Sequence, residues 1–130
     1  VSDGTELWAY VPKDQLGKVK DLMDPDYCHE YFLNTTPGAY DVKINGVWRT
    51  ILVGGSGLGG AGIFALDVTN PAADSVRLLW DVQPAALKGA WSPPTLVNDR
   101  QLGRQRASLI LERRFGHAVQ ALPGYGQRAR

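Results

Sequence analysis

The stretch ILVGGSGLGGAGIFALDV, residues 51–68, constrains the fold more than any other part of the chain. Gly55-Ser56-Gly57-Leu58-Gly59-Gly60 spells G-x-G-x-x-G directly after an apolar run. In a dinucleotide-binding fold this fingerprint links a strand to a helix whose N-terminus faces the pyrophosphate. Here the following residues, Ile63, Phe64, Leu66 and Val68, favour a strand, and Pro71 closes the segment before a three-turn helix could form. The acidic residue expected about 20 positions beyond the motif falls near Asp74, inside the polar loop TNPAADS. The glycines therefore read as a connection between two strands, tolerant of positive φ and of close backbone approach.

The neighbouring sequence supports an antiparallel sheet. AYDVKI and VWRTILV alternate on either side of Asn45-Gly46, a strong two-residue hairpin signal. The expected strands are 39–44, 47–53, 62–68 and 76–82, with no helical period anywhere in 39–82. Four strands joined by short turns make one meander, the size of a propeller blade. SPPTLV (92–97) reads as the opening of a next blade. Upstream, TELWAYVP (5–12) reads as a strand with Leu7 and Ala9 on one face and Trp8 and Tyr10 on the other. In 13–24, Leu16, Val19, Leu22 and Met23 recur at helical spacing. They predict a short amphipathic helix, weakened by Gly17 and ended at Asp24-Pro25.

Composition divides the chain. Residues 1–98 carry seven Lys/Arg against eleven Asp/Glu, whereas 99–130 carry seven Arg, no Lys and two acids. The expected organisation is a partial propeller segment over 1–98 and an Arg-rich segment over 99–130. In the latter, RASLILE (106–112) reads as a strand, or ASLILERRFGHAVQAL as a helix broken at Gly116. Genuine divergence, a shifted reading frame or a disordered tail each fits its arginine content. Cys28 is the only cysteine, which excludes an intrachain disulfide and a cysteine metal cluster. No apolar run approaches the roughly 18 residues of a membrane span. The chain opens at Val1 without Met or a signal-peptide pattern, and reads as a fragment or a processed product.

Several separate blocks then occur in a recognisable order: GTELWAYVP, DPDYCHEYF, GVWRTILVGGSGLGGAGIFALDVTNP and LLWDV. Together they resemble the C-terminal propeller domain of the PilY-type pilus biogenesis proteins, the tip-associated adhesins of type IV pili. The resemblance covers about residues 3–97, and block 47–71 carries most of it. It implies an all-β fold: a partial quinoprotein-like β-propeller of about one to two antiparallel blades with a short helical insertion. In such blades an Ala-Leu-Asp strand precedes a strand ending in Trp, which Ala65-Leu66-Asp67 and Trp80 match. Asp67 is expected to accept N–H bonds from the turn that follows it. Trp80 is expected to pack between blades. The family has Asp-Gly-Thr-Pro where this chain has Asn34-Thr35-Thr36-Pro37, and its calcium loop, a D-x-D-x-D-like run, is not present here. Calcium is thus an expectation for a full-length relative, and no cofactor is assigned to this chain.

The residues that invite chemistry have plainer readings. Cys28-His29-Glu30 could be written as a metal cluster, but adjacent side chains point different ways. His29 is expected to be a partly buried structural histidine. A Cys28–His117 or Cys28–His29 nucleophile pair lacks an oxyanion-hole motif, and Gly54-Gly55-Ser56-Gly57-Leu58 misses the G-x-S-x-G spacing. Asp21, Asp24 and Asp26 suggest calcium, but Pro25 and the missing glycine spoil the loop, leaving a solvated acidic patch. Arg100, Arg104, Arg106, Arg113, Arg114, Arg128 and Arg130 could bind nucleic acid or another anion, with only Phe115 and Tyr125 as aromatic platforms. Trp8, Trp48, Trp80 and Trp91 are expected in core packing.

The expected function, by resemblance, is non-catalytic: promoting type IV pilus assembly, opposing retraction and aiding surface adhesion through protein–protein binding. Minor pilins or other tip proteins and a host or abiotic surface are the implied partners. The implied location is the periplasm, the outer membrane or the pilus tip at the cell surface. No catalytic, cofactor or metal residues are assigned. The alternatives are a fragment of a pyrroloquinoline-quinone dehydrogenase propeller, and anion or nucleic-acid binding through the Arg-rich tail. Open blade faces and edges are expected to leave the isolated chain marginal and prone to dimerise or aggregate.

Overall fold

The computed structural model describes residues 3–84, 95–99, 106–113 and 116–121. The order begins with a single helical turn, α1 (Leu16–Val19), continued by a 3-10 turn over Lys20–Met23. Strands β1 (Gly38–Ile44), β2 (Val47–Gly55), β3 (Ile63–Asp67) and β4 (Arg77–Val82) follow, with a 3-10 turn at Gly57–Gly59 between β2 and β3. They form one antiparallel sheet in the order β1-β2-β3-β4. A second antiparallel sheet contains β5 (Thr95–Asp99), β6 (Arg106–Arg113) and β7 (Gly116–Ala121). The described residues are all-β apart from the short helical insertion, as expected, and the strand reading of 106–112 is the one observed. Of the four expected strands in 39–82, each is found within one or two residues at either end.

The β1–β2 hairpin follows from two residues. Asn45 (φ 51°) and Gly46 (φ 84°) both adopt positive φ, the requirement of a type I′ turn. Ile44 therefore faces Val47, and the register continues to Gly38 opposite Val53. One face of the sheet holds the core: Ile51, Val53, Ile63, Ala65 and Trp80, with Tyr40, Val42, Ile44, Leu79 and Val82 packed around them. Alternation on β1 puts Ala39, Asp41 and Lys43 outward. β3 is buried on both faces along its whole length, which accounts for the unbroken apolar run from Ile63 to Leu66. The register slips between Ala65 and Leu66, so Ala65 faces Trp80 while Leu66 faces Leu78. Leu79 is the extra residue of this bulge.

Two upstream expectations are corrected. Residues 4–12 join no sheet, although the predicted alternation survives: Trp8 and Tyr10 are half-buried while Leu7, Ala9 and Val11 are exposed. The helix over 13–24 shrinks to one α turn and one 3-10 turn, and its apolar stripe faces solvent. Leu16, Val19, Leu22 and Met23 are 57%, 43%, 54% and 82% exposed, while Gln15 is 1% exposed. The inward side of this turn is polar because it meets backbone carbonyls rather than a core. Its end is as expected, with Asp24 extended (φ −77°, ψ 125°) ahead of Pro25.

Two glycine substitutions test this backbone account. A Cβ at Gly46 meets no atom within 4 Å, so only its positive φ opposes alanine. Gly46→Ala should cost about 1–2 kcal/mol. Gly17 has equal space and a helical backbone, so Gly17→Ala should stabilise by roughly 0.5–1 kcal/mol. Urea unfolding measures both, and effects of equal sign would contradict the account.

Candidate functional site

The glycine loop is closed by the chain that precedes the sheet. Residues 10–35 form a strap, and its polar side chains take the loop's backbone groups. The Asp14 carboxylate accepts from the Gly62 N–H (3.1 Å) and the Ser56 hydroxyl (2.6 Å). The Asn34 side-chain oxygen accepts from the Leu58 N–H at 2.7 Å. The Lys18 ammonium donates to the Gly59 carbonyl at 2.9 Å and to the Tyr31 carbonyl at 3.2 Å. The Thr35 hydroxyl donates to the Gly55 carbonyl. Within the loop, Ser56 N–H bonds the Gly62 carbonyl and Gly59 N–H bonds the Ser56 carbonyl.

This arrangement decides what the G-x-G-x-x-G sequence does. A phosphate cradle needs free N–H groups at a helix N-terminus. Here the N–H groups of Leu58 and Gly62 already bind an amide oxygen and a carboxylate, and the chain continues into β3. The carboxylate of Asp14 lies against Gly62, where a Cβ would come within 2.5 Å of it. Close approach is the reason for glycine at 59, since a Cβ there would sit 1.6 Å from the Phe32 carbonyl oxygen.

The strap is held to β4 at a second point. The Tyr10 hydroxyl donates to Asp81 Oδ2 at 2.6 Å, and the Lys13 N–H donates to the same oxygen at 2.7 Å. The Tyr10 ring lies 5.0 Å from that of Phe64. Burial, the hydrogen bond to Asp81 and the charges of Asp81 and Asp14 push the Tyr10 hydroxyl pKa well above its ordinary value. Tyr10 stays a neutral donor.

The far end of the meander is closed by Asp67, buried at 5% exposure. Its Oδ1 accepts from the Thr69 hydroxyl (2.6 Å) and the Thr69 N–H (3.1 Å). Its Oδ2 pairs with the Arg49 guanidinium at 2.7 Å. The expected role of Asp67, capping the following turn, is therefore observed. Burial raises its carboxyl pKa, but the Thr69 bonds and the Arg49 guanidinium outweigh burial and hold it below the usual value.

Other candidate residues are not brought together. Cys28 is exposed. His29 is exposed rather than partly buried, its ring 6.2 Å from Tyr31, because the strap turns it away from the sheet. Glu30 pairs with Lys18 at 3.4 Å. Asp24 accepts from the Asp26 N–H, a local turn within the solvated acidic patch. Among the described residues, no three or more His, Cys, Asp or Glu side chains gather as a metal cluster. Trp80 is buried as expected, whereas Trp48 is 64% exposed, opposite Lys43 beside the hairpin turn. Arg106 and Arg113 bound β6 and His117 lies on β7. Trp91, Arg100, Arg104, Arg114, Phe115, Tyr125, Arg128 and Arg130 lie outside the described residues. Asp14, Gln15 and Lys18 were missed by sequence reasoning. The one signal that could have found them is the loop itself, whose buried backbone groups need partners.

The four-stranded meander, the second sheet and the glycine connection define an all-β protein of propeller-like architecture. Among solved structures, the chain matches the Pseudomonas aeruginosa PilY1 C-terminal domain with a TM-score of 0.56 and 28% identity, over 85% of this chain and 24% of that one. A curated PilY1 of P. aeruginosa, named a type IV pilus biogenesis factor, is 37% identical over 75% of this chain and 9% of its own. A homolog of that factor from Xylella fastidiosa is 42% identical over 66% of this chain and 7% of its own. No family model matches. By sequence and fold the chain matches a segment of PilY-type proteins, and it spans less than a tenth of the length of these curated relatives.

The Asp67 latch makes stability depend on pH. A carboxyl that titrates in the folded state below its unfolded value of about 3.9 stabilises fully above that value and loses the effect as pH falls through the folded pKa. Unfolding by urea at neutral pH and near pH 3 should show Asp67→Asn less stable than wild type at neutral pH, with the difference shrinking in acid. A constant difference would contradict the latch.

Proposed function

We propose that this chain is part of a non-catalytic component of type IV pilus biogenesis that works by protein–protein contact. The observation that carries the reading is the coincidence of 36–42% identity to PilY1 proteins with a shared fold. Those relatives are named as pilus biogenesis factors, which favours assembly over quinone chemistry or nucleic-acid binding. The chemistry of the loop agrees, because its Leu58 and Gly62 N–H groups are spent on the protein's own side chains. The implied partners are minor pilins or other tip proteins, at the periplasm, outer membrane or cell surface. Adhesion to a host or abiotic surface follows from a place at the tip. No helix among the described residues is long and apolar enough to cross a membrane. Contact is made through loops and strand edges such as the exposed Val47-Trp48 end of the hairpin.

The test is genetic. Deleting the full-length protein in its own strain should abolish surface pili and attachment, and re-expression should restore both. Electron microscopy of sheared and intact cells reads the outcome. Normal piliation in the deletion strain would overturn the proposal.

A further inference from the structure

We propose that Asp14, Gln15 and Asp81 bind a hard divalent cation, of the calcium or magnesium class, in the seam between the strap and β4. Three buried oxygens there have no hydrogen-bond partner: Asp14 Oδ1, Gln15 Oε1 and Asp81 Oδ1. Buried acceptors without donors are rare and point to an ion or water. Gln15 is 1% exposed, so its oxygen has no outlet to bulk solvent.

The groups share one region. A Cβ at Gly60 would meet Asp14 Oδ2 at 2.5 Å and Gln15 Nε2 at 3.3 Å, so carboxylate and amide converge over that glycine. A Cβ at Gly62 would meet Asp14 Oδ1 at 2.6 Å. Ile63 faces Val82 and Phe64 faces Asp81, so Asp81 projects from the sheet face that Gly62 and Phe64 share. Asp14 and Asp81 both raise the pKa of the Tyr10 hydroxyl, which lies against that face.

The charge balance is the second argument. The ion pairs among the described residues are Lys18–Glu30 and Arg49–Asp67, and neither neutralises Asp14 or Asp81. The other oxygen of each carboxylate is committed, Asp14 Oδ2 to Ser56 and Gly62 and Asp81 Oδ2 to Tyr10 and Lys13. Each carboxylate is thus held by Oδ2 and keeps Oδ1 without a partner. Two carboxylates and an amide carbonyl suit a hard cation that keeps several waters. None of the three residues belongs to the acidic run at Asp21, Asp24 and Asp26. A bound cation would tie the strap to β4 and so reinforce closure of the glycine loop.

Terbium luminescence on the 130-residue chain tests this, with Tyr10 beside the site as sensitiser. The expected result is saturable emission displaced by CaCl2 or MgCl2, and a rise in Tm with either salt. Asp14→Asn and Asp81→Asn should each weaken terbium binding by at least the roughly 10–100-fold that loss of an outer-shell partner costs. Asp21→Asn should leave binding unchanged. If an Asn variant fails to fold, the wild-type titration and Tm shift decide. Absence of saturable terbium binding on wild type overturns the proposal, as does binding that survives both Asn variants or is lost with Asp21→Asn.

Discussion

A buried loop of backbone must find partners for its polar groups, and the rest of this structure is arranged around that requirement. The turn from Gly55 to Gly62 runs beneath the strap with most of its residues buried. Each buried N–H or C=O left unpaired would cost about 1–3 kcal/mol. Asp14, Lys18, Asn34 and Thr35 supply the partners from chain segments 20 or more residues upstream. Glycine is needed because the strap comes so close, with the Phe32 carbonyl occupying the place of a Gly59 side chain. Closeness and hydrogen bonding are one feature: a bulkier loop would push the strap away and strand its own backbone.

The packing beneath this clamp contributes more energy than the visible charges. Leu66 and Val53 are at most 2% exposed, and removing such a side chain costs about 2–5 kcal/mol. The Arg49 half of the Asp67 pair is 38% exposed, and pairs open to solvent contribute about 0–1 kcal/mol. Asp67 matters chiefly for its Thr69 bonds, which fix the chain path out of β3. The apolar core and the polar clamp thus act at different levels, the first holding the sheet and the second fixing what lies across it.

The sheet was legible in the sequence because its signals are local. Asn45-Gly46 specifies a turn from two residues, and alternation in 39–53 then sets which face is buried. The exclusion of a nucleotide site was legible too, since Ile63 to Val68 and Pro71 leave no helix for the motif to open. The strap was not, because its partners lie 41 to 48 positions away for Lys18 and Asp14. Helical spacing of Leu16, Val19, Leu22 and Met23 suggested an apolar face turned inward. The structure turns Gln15 and Lys18 inward instead, because what awaits them is a row of carbonyls. Trp48 lies outside the expected core for a related reason: a strand residue next to a hairpin turn is beyond the covered part of the sheet.

The Leu58 and Gly62 donors of the glycine loop are consumed by the protein itself. Amide hydrogen exchange of Leu58 and Gly62, followed by NMR with and without millimolar ATP or NADH, tests this most directly. The account predicts slow exchange at both amides and no change with nucleotide. Fast exchange in the free protein, with protection appearing only when nucleotide is added, would contradict it.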